Sequence, residues 1–360
     1  MITKQTIKRS MEEISDVTGI SLTVFDLRGN VVTQAGEPAE IDKDAVLAFA
    51  SGTREEGEAG ESSLFAVWDE EQFRYVLACT GEQSSLLGKV VAAHLHELLI
   101  AYQDRFDKNN FFQNLLLDNM LLVDIYNRAK KLHIEDQVRR VIYLIEVSSE
   151  SEVQPTDYLN GMFAPGSGDY VTAVDETSVI VVKALAESDA QTEMENVARS
   201  IVAMLNAEAM VNARVAFGTP VDELKDLSKS YKEAMLALEV GKIFYAEQPI
   251  NAYSTLGIGR LIYQLPANLC RMFISEVFGD KLPLELDEET RITIDQFFEN
   301  DLNVSETARK LFVHRNTLVY RIDKLQKDIG LDIRDFDDAL TLKISLMVDS
   351  YLKYLDSRSF

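Results

Sequence analysis

Cysteine, tryptophan and long apolar runs are scarce in this chain of 360 residues. Only two cysteines occur, Cys79 and Cys270, far apart and among apolar neighbours, which favours free thiols in a reducing compartment over a disulfide. No CxxC or comparable ligand spacing is present, so no metal or cofactor is expected. No apolar run approaches the roughly 18 residues of a membrane-spanning helix, and the N-terminus lacks the apolar core of a secretory signal. These absences predict a cytoplasmic protein with no membrane partner.

Positive charge is also scarce, with 36 basic against 59 acidic residues and a formal net charge of -23. A polyanion of this kind is repelled by nucleic acid, so any contact with DNA has to be local. One segment reverses the balance: Leu302–Gly330 carries three acidic side chains and six basic ones. That segment is therefore the place to look for a nucleic-acid contact.

Hydrophobic periodicity divides the chain into four parts and predicts a multidomain α+β protein. Residues 1–107 have the order α-β-β-α-β-β-α of a small PAS- or GAF-like α/β sensor, with the charged, glycine-rich tract TREEGEAGE predicted as a loop. Residues 108–135 predict a helical connector, apolar on more than one face, which suits either a dimer contact or packing within the chain. Residues 136–255 predict a ferredoxin-like domain whose last helix is capped by Asp222, and residues 256–360 predict an all-α domain.

Two short helices joined by a tight turn are predicted within residues 303–328. Asn303 followed by Glu306 forms a capping box at the start of the first helix. Its apolar stripe consists of Val304, Ala308 and Leu311. The second helix is predicted to begin at His314 or Arg315, with an apolar stripe of Leu318, Ile322 and Leu325. Two helices that bury such stripes across a tight turn are typical of a helix-turn-helix.

The polar side of the second helix carries side chains suited to DNA. Arginine can hold O6 and N7 of guanine, asparagine can hold N6 and N7 of adenine, and basic side chains can neutralise phosphates. The candidate DNA-binding residues are His314, Arg315, Asn316, Thr317, Tyr320, Arg321 and Lys324 around the second helix, with Arg309 and Lys310 on the first. Arg321, Lys324, Arg309 and Lys310 are the expected phosphate ligands. The alternative interpretation is a solvated helical hairpin with charged flanks.

The stretch "NVSETARKLFVHRNTLVYRIDKLQKDIGLDIRDFDDALTLKISL" resembles the C-terminal helix-turn-helix of the PucR/CdaR family of bacterial transcription regulators. "FFQNLLLDN" and "YNRAKKLHI", before the first central strand, are similar to that family's domain junction. The resemblance covers residues 108–355 and implies a sensory domain, a central degenerate GGDEF-like domain and a DNA-binding domain. It implies double-stranded operator DNA as a partner, and a small-molecule effector for which an organic acid is one candidate. Because one recognition helix contacts only a few base pairs, a homodimer is expected.

A signalling enzyme is the alternative from a different class, since GGDEF-like domains resemble nucleotide cyclases. A cyclase of that type needs a GG[DE]EF turn, whereas the corresponding reversal here is predicted at Asp175–Thr177 and has no glycine pair. Glu146, at the end of the first central strand, is a candidate remnant metal ligand. No nucleophile has a base at a suitable spacing. The sequence therefore predicts no enzyme activity, with a cyclic-nucleotide enzyme or a nucleotide-binding sensor as the alternative.

Overall fold

The computed structural model describes residues 4–52, 54–69, 72–147, 155–163, 167–173, 178–279 and 286–358. Contacts divide the chain into two units. The first comprises the residues up to Leu115 together with Asn119–Glu135, and the second comprises Leu116–Asp118 together with the residues from Asp136 onward. No helix among the described residues is long and apolar enough to cross a membrane.

The first unit is built on a five-stranded antiparallel sheet of order β2-β1-β5-β4-β3. Its elements are α1 (Lys4–Thr18), β1 (Ser21–Phe25), β2 (Val31–Ala35), α2 (Lys43–Ala50), β3 (Glu56–Ala59), β4 (Ser62–Asp69), β5 (Gln72–Thr80), α3 (Ser84–Leu116) and α4 (Leu122–Lys131). Alternating side chains of the strands supply two cores, because successive residues of a strand point to opposite faces. One core includes Met11 of α1 and Leu95 of α3, and the other includes Phe49 of α2. The sheet therefore has helices on both faces.

The tract TREEGEAGE is not a loop as predicted, because its residues Glu56–Ala59 form the edge strand β3. This strand pairs antiparallel with β4, with Glu56 opposite Phe65. Gly57 is required there, because a Cβ at that position would lie 2.7 Å from Cδ2 of Phe49. The glycine that suggested a loop instead lets the aromatic ring of α2 pack directly on the strand.

Helix α3 continues without interruption through the predicted boundary at residue 107 and ends at Leu116. The helical connector is divided, since α4 begins only at Leu122. Asp118, in the gap between the two helices, has a left-handed backbone with φ of 56°. The sequence pattern showed an apolar helical segment but did not show this break.

The first part of the second unit is a mixed sheet of order β10-β9-β6-β8-β7, in which β10 runs parallel to β9 and the other pairs are antiparallel. Its elements are β6 (Arg140–Val147), α5 (Pro155–Met162), β7 (Tyr170–Ala173), β8 (Ser178–Ala184), α6 (Gln191–Glu208), β9 (Ala213–Phe217), α7 (Leu227–Phe244) and β10 (Ile250–Ala252).

Helix α5 was not predicted. The predicted hairpin turn at 175–177 lies outside the described residues. Asp222 does not cap α7, because a short 3-10 turn at Leu224–Asp226 precedes that helix and places Asp226 at its N-cap.

The rest of the second unit is helical, as the periodicity predicted. Its helices are α8 (Gly257–Tyr263), α9 (Ala267–Phe278), α10 (Glu288–Glu299), α11 (Val304–Lys310), α12 (Arg315–Ile329) and α13 (Phe336–Ser357). They share one core that includes Cys270, Phe297, Ile322 and Leu342. Both cysteines of the chain are buried free thiols, as expected. Since α11 and α12 are two helices of this bundle, its core fixes the orientation of the predicted DNA-binding segment.

Candidate nucleic-acid interface

Helix α11 begins at Asn303, which is confirmed as its N-cap. The Asn303 side chain accepts hydrogen bonds from the backbone N–H groups of Ser305 (3.0 Å) and Glu306 (3.1 Å). The reciprocal half of the predicted capping box is missing. The Asn303 N–H donates to the carbonyl of Asn300, and the Glu306 carboxylate instead accepts two hydrogen bonds from Arg309, at 3.2 and 2.5 Å. Arg309 thereby lowers the pKa of the Glu306 carboxyl.

The turn between α11 and α12 is a Schellman motif. The Phe312 N–H donates to the carbonyl of Arg309 at 3.2 Å, and the Val313 N–H donates to the carbonyl of Ala308 at 3.0 Å. These two bonds satisfy carbonyls that the end of a helix otherwise leaves without partners. Phe312 has the left-handed backbone that the motif requires, with φ of 54°. The tight turn is thus fixed by backbone hydrogen bonds.

Helix α12 begins at Arg315, in agreement with the predicted start. His314 is its N-cap, and its ring Nδ1 accepts a hydrogen bond from the Asn316 backbone N–H at 3.2 Å. The predicted apolar stripe is buried, and it is extended by Ile329. The helix stops at Gly330, whose left-handed φ of 88° suits glycine. The N-cap and the buried apolar stripe therefore fix the position of the first turn of α12.

The candidate DNA-binding side chains are exposed at the start of α12 and on the end of α11, with one exception discussed below. The exposed set is Arg309, Lys310, His314, Arg315, Asn316, Thr317, Tyr320 and Lys324. Lys310, Arg315 and Lys324 make no ion pair with any residue that the structure describes, whereas Arg309 is paired with Glu306. The two helices therefore carry exposed cations without an ion-pair partner among the described residues, and α12 carries an exposed asparagine in its first turn.

Arg321 is the exception, because its side chain is only 24% exposed and is already bound. One guanidinium nitrogen lies 2.5 Å from the Glu289 carboxylate, and another donates to the hydroxyl of Thr293 at 3.4 Å. Both partners belong to α10. Arg321 therefore connects α12 to α10 through these two contacts. The sequence predicts a phosphate ligand at this position and does not predict these contacts. The partner is 32 positions away, and no local pattern indicates it.

Arg334 is a positioning residue that the sequence analysis missed. Its guanidinium binds Asp323 of α12 at 2.9 Å and Asp332 at 2.7 Å, and it also donates to Gln326 at 3.2 Å. The bond from Arg334 lowers the pKa of the Asp332 carboxyl. This network holds the last turns of α12 and compensates acidic charge near the recognition helix. The short spacing between Asp332 and Arg334 was the available signal.

Glu146, the candidate metal ligand of the central sheet, already has a cationic partner. Its carboxylate lies 2.6 Å from Nζ of Lys242, which also binds Glu239 at 3.2 Å. Glu146 borders a cleft of about 370 Å³ with Asn206, Arg214 and Glu247 among its lining residues. The described residues contain no group of three or more potential metal ligands.

The first unit contains an open cleft of about 590 Å³. Its apolar lining includes Phe65 and Trp68, and its polar lining includes Lys89 and His96. The Lys89 ammonium lies 2.8 Å from the Glu56 carboxylate. His96 bonds through Nδ1 to the carbonyl of Trp68 at 2.8 Å. The cleft thus combines aromatic surface with groups that can bind a polar ligand.

Comparison with known proteins assigns the helical part of the second unit to a class. Residues 291–348, which run from α10 into α13, match the model of the PucR C-terminal helix-turn-helix domain. Residues 119–240 match the GGDEF-like domain model. The fold, the buried stripe of α12 and these matches define a helix-turn-helix DNA-binding transcription regulator. Both matched domains are those that the sequence resemblance to the PucR/CdaR family indicated.

The chain is also similar to individual proteins. The chain is 24% identical to the carbohydrate diacid regulator of Escherichia coli (strain K12) over 293 residues, which is 76% of each chain. It is 26% identical to the purine catabolism regulatory protein of Bacillus subtilis (strain 168) over 141 residues, 38% of this chain and 27% of that one. A solved structure, the regulator of polyketide synthase expression from Bifidobacterium adolescentis, matches with 16% identity and a TM-score of 0.35, covering 68% of this chain and 92% of that one.

Proposed function

We propose that this protein regulates transcription by inserting the first turns of α12 into the major groove of a specific operator. One observation carries the proposal: exposed Arg315 and Asn316 lie at the start of a helix whose apolar stripe is buried, and Lys310 of α11 and Lys324 of α12 are exposed as well. In a chain of net charge -23, such a cluster provides a local site with affinity for an anion. Helix-turn-helix proteins use this part of the second helix to contact base edges.

Each side chain has a defined role in the proposal. Arg315 and Asn316 contact base edges, and Thr317 and Tyr320 extend that contact along the exposed face of α12. Lys310, Lys324 and Arg309 neutralise phosphates. Arg309 does so by exchanging the carboxylate of Glu306 for a phosphate. His314 caps the helix. Arg321 positions α12 through its ion pair with Glu289.

The test is fluorescence anisotropy with a duplex from upstream of the protein's own gene and a scrambled duplex of equal length. Asn316→Ala should remove the preference between them, a loss of about 1–3 kcal/mol. Lys324→Ala should weaken both duplexes equally and lower the salt slope by about one. Lys353→Ala, an exposed lysine of α13 paired with Asp349, is the matched control and should change neither. Retained preference in Asn316→Ala would contradict the assignment of the base contacts.

The effector is proposed to bind in the open cleft of the first unit, with an organic acid as the candidate class. The Lys89 ammonium would exchange the Glu56 carboxylate for that of the ligand, while Trp68 and Phe65 cover its apolar part. The printed name of the Escherichia coli relative, a carbohydrate diacid regulator, supports trying sugar diacids first. Isothermal titration with wild type and Lys89→Ala tests this, and equal affinity of the two would exclude Lys89 as the anchor.

A homodimer is proposed because one recognition helix contacts too few base pairs for a specific site. Two copies would contact half-sites about 34 Å apart along the DNA. Helix α4 supports the proposal, since Leu122 and Val123 at its start, and Leu121 before it, are exposed apolar side chains. Exposed apolar side chains that are adjacent in this way are found at sites of protein–protein association.

The protein is proposed to have no enzyme activity. A cyclic-nucleotide enzyme or a nucleotide-binding sensor gains no support from Glu146, because Lys242 already neutralises the carboxylate that would have to hold a metal ion. Turnover of GTP with Mg²⁺ or Mn²⁺ by the purified chain would contradict this part of the proposal.

A further inference from the structure

Phe312, in the turn between α11 and α12, has an unusual combination of conformation and exposure. Its side chain is 96% exposed, and its φ of 54° lies in the left-handed region, where glycine is favoured at this position of a Schellman motif. Both hydrogen bonds of the motif come from backbone groups, so glycine could form them equally well. The phenyl ring therefore adds strain and exposed apolar surface, and it adds almost no packing within the protein.

Strain and exposure alone do not identify a function, as Met210 shows. Met210 follows α6 with the same φ of 54° and is 88% exposed. The difference lies in the neighbours. Met210 lies two positions after the acidic residue Glu208. Arg214 is the one basic residue within six positions of Met210 in the sequence. Phe312 is flanked by exposed Lys310 and Arg315, neither of which has an ion-pair partner among the described residues.

We infer that the ring of Phe312 packs on a deoxyribose of the DNA backbone, at the edge of the groove that receives α12. This inference rests on the proposed function. In helix-turn-helix complexes the first helix crosses the backbone and the second enters the groove, so the turn between them lies at the groove edge. A nucleic-acid backbone alternates apolar sugars with anionic phosphates. An apolar ring two residues after Lys310 and three residues before Arg315 matches that alternation.

The variants Phe312→Gly and Phe312→Asn test the inference, since both residues tolerate a left-handed backbone. Each should weaken binding to operator and scrambled duplex alike by about tenfold, as expected for losing part of the burial of one aromatic side chain. The slope of affinity against salt should stay unchanged, because no phosphate contact is removed. The thermal unfolding temperature should not fall. Phe312→Leu, which keeps an apolar side chain, should lose only about threefold.

Met210→Gly is the matched control, because it makes the same kind of change in the same backbone conformation away from α12. It should leave DNA affinity unchanged. Wild-type affinity in Phe312→Gly would overturn the inference and leave the role of α12 intact, whereas absence of salt-sensitive binding by wild type would overturn both. A lower unfolding temperature with proportionately weaker binding would assign the ring a structural role instead. A loss confined to thymine-containing duplexes, and abolished by uracil, would show contact with a base methyl and overturn the sugar contact.

Discussion

Glu239 joins the central sheet to the helical bundle, and replacing it with glutamine tests that junction. Its carboxylate, on α7, accepts a hydrogen bond from the hydroxyl of Tyr354 on α13, and it lies 3.2 Å from both Lys242 and Arg358. Burial alone would raise the pKa of this carboxyl, but the bond from Tyr354 and the two cations outweigh burial, so the pKa is lowered. Glu239→Gln keeps the size of the side chain and removes its charge.

The expected cost follows from these contacts. Hydrogen bonds to a charged group contribute about 1.5–3 kcal/mol when well buried. The Glu239 side chain is 20% exposed and Arg358 is largely exposed, so we expect a loss near the lower end, about 1–2 kcal/mol. The comparison variant is Asp356→Asn on α13, whose partner Arg271 is exposed. An exposed pair of this kind contributes about 0–1 kcal/mol.

Urea unfolding followed by far-ultraviolet circular dichroism measures both variants, since helices dominate that signal. Trp68, the only tryptophan of the chain, lies in β4 of the first unit, and its fluorescence follows that unit separately. Because folding lowers the pKa of Glu239, its contribution is complete above the ordinary pKa of glutamate, about 4.3. The contribution is lost as the pH falls through the lowered pKa of the folded state.

The difference in free energy of unfolding between wild type and Glu239→Gln should therefore be largest at neutral pH and should disappear in acid. Two results would refute this reasoning. The first is a shift in the Glu239→Gln transition no larger than that of Asp356→Asn. The second is a difference in free energy of unfolding that stays constant as the pH falls well below the ordinary pKa of glutamate.

Two further predictions concern the first unit. Gly88→Ala should destabilise it by about 1–3 kcal/mol in Trp68 fluorescence, because a Cβ would lie 2.1 Å from Cε2 of buried Phe65. Gly52→Ala, also in the first unit, where a Cβ would lie no closer than 3.5 Å to another atom, is the control, and equal stability of the two variants would contradict the close packing of α3 on β4. Val123→Asp should convert the proposed dimer to monomer in sedimentation analysis, whereas Val17→Asp, on an isolated exposed valine, should not. Dimers in both variants would exclude α4 as the contact.

The recognition segment was predictable because its signals are local. The cap at Asn303, the stripe of Leu318 and the start of α12 depend on residues within one or two turns of one another. The ion pair between Arg321 and Glu289 was not predictable, because Glu289 is on another helix and a sequence does not show which distant carboxylate a cation will meet. Local composition predicted a loop around Gly57, but the structure has a strand there, in which the ring of Phe49 leaves no room for a Cβ on Gly57. In each failure a tertiary contact outweighed a local preference.

The close fit of α8 on α7 bears on how this protein can be divided for experiments. A Cβ on Gly259 of α8 would lie 3.0 Å from Phe244 and 3.1 Å from Val240 of α7, and the far end of α13 also reaches α7 through Tyr354 and Glu239. A fragment comprising only residues 256–360 would keep α12 but expose the apolar surface that α7 covers. Aggregation of that fragment would then reflect the missing helix and not a failure of the DNA-binding helices. A minimal soluble DNA-binding fragment should start before β6, at Asp136, where the second unit begins its main segment.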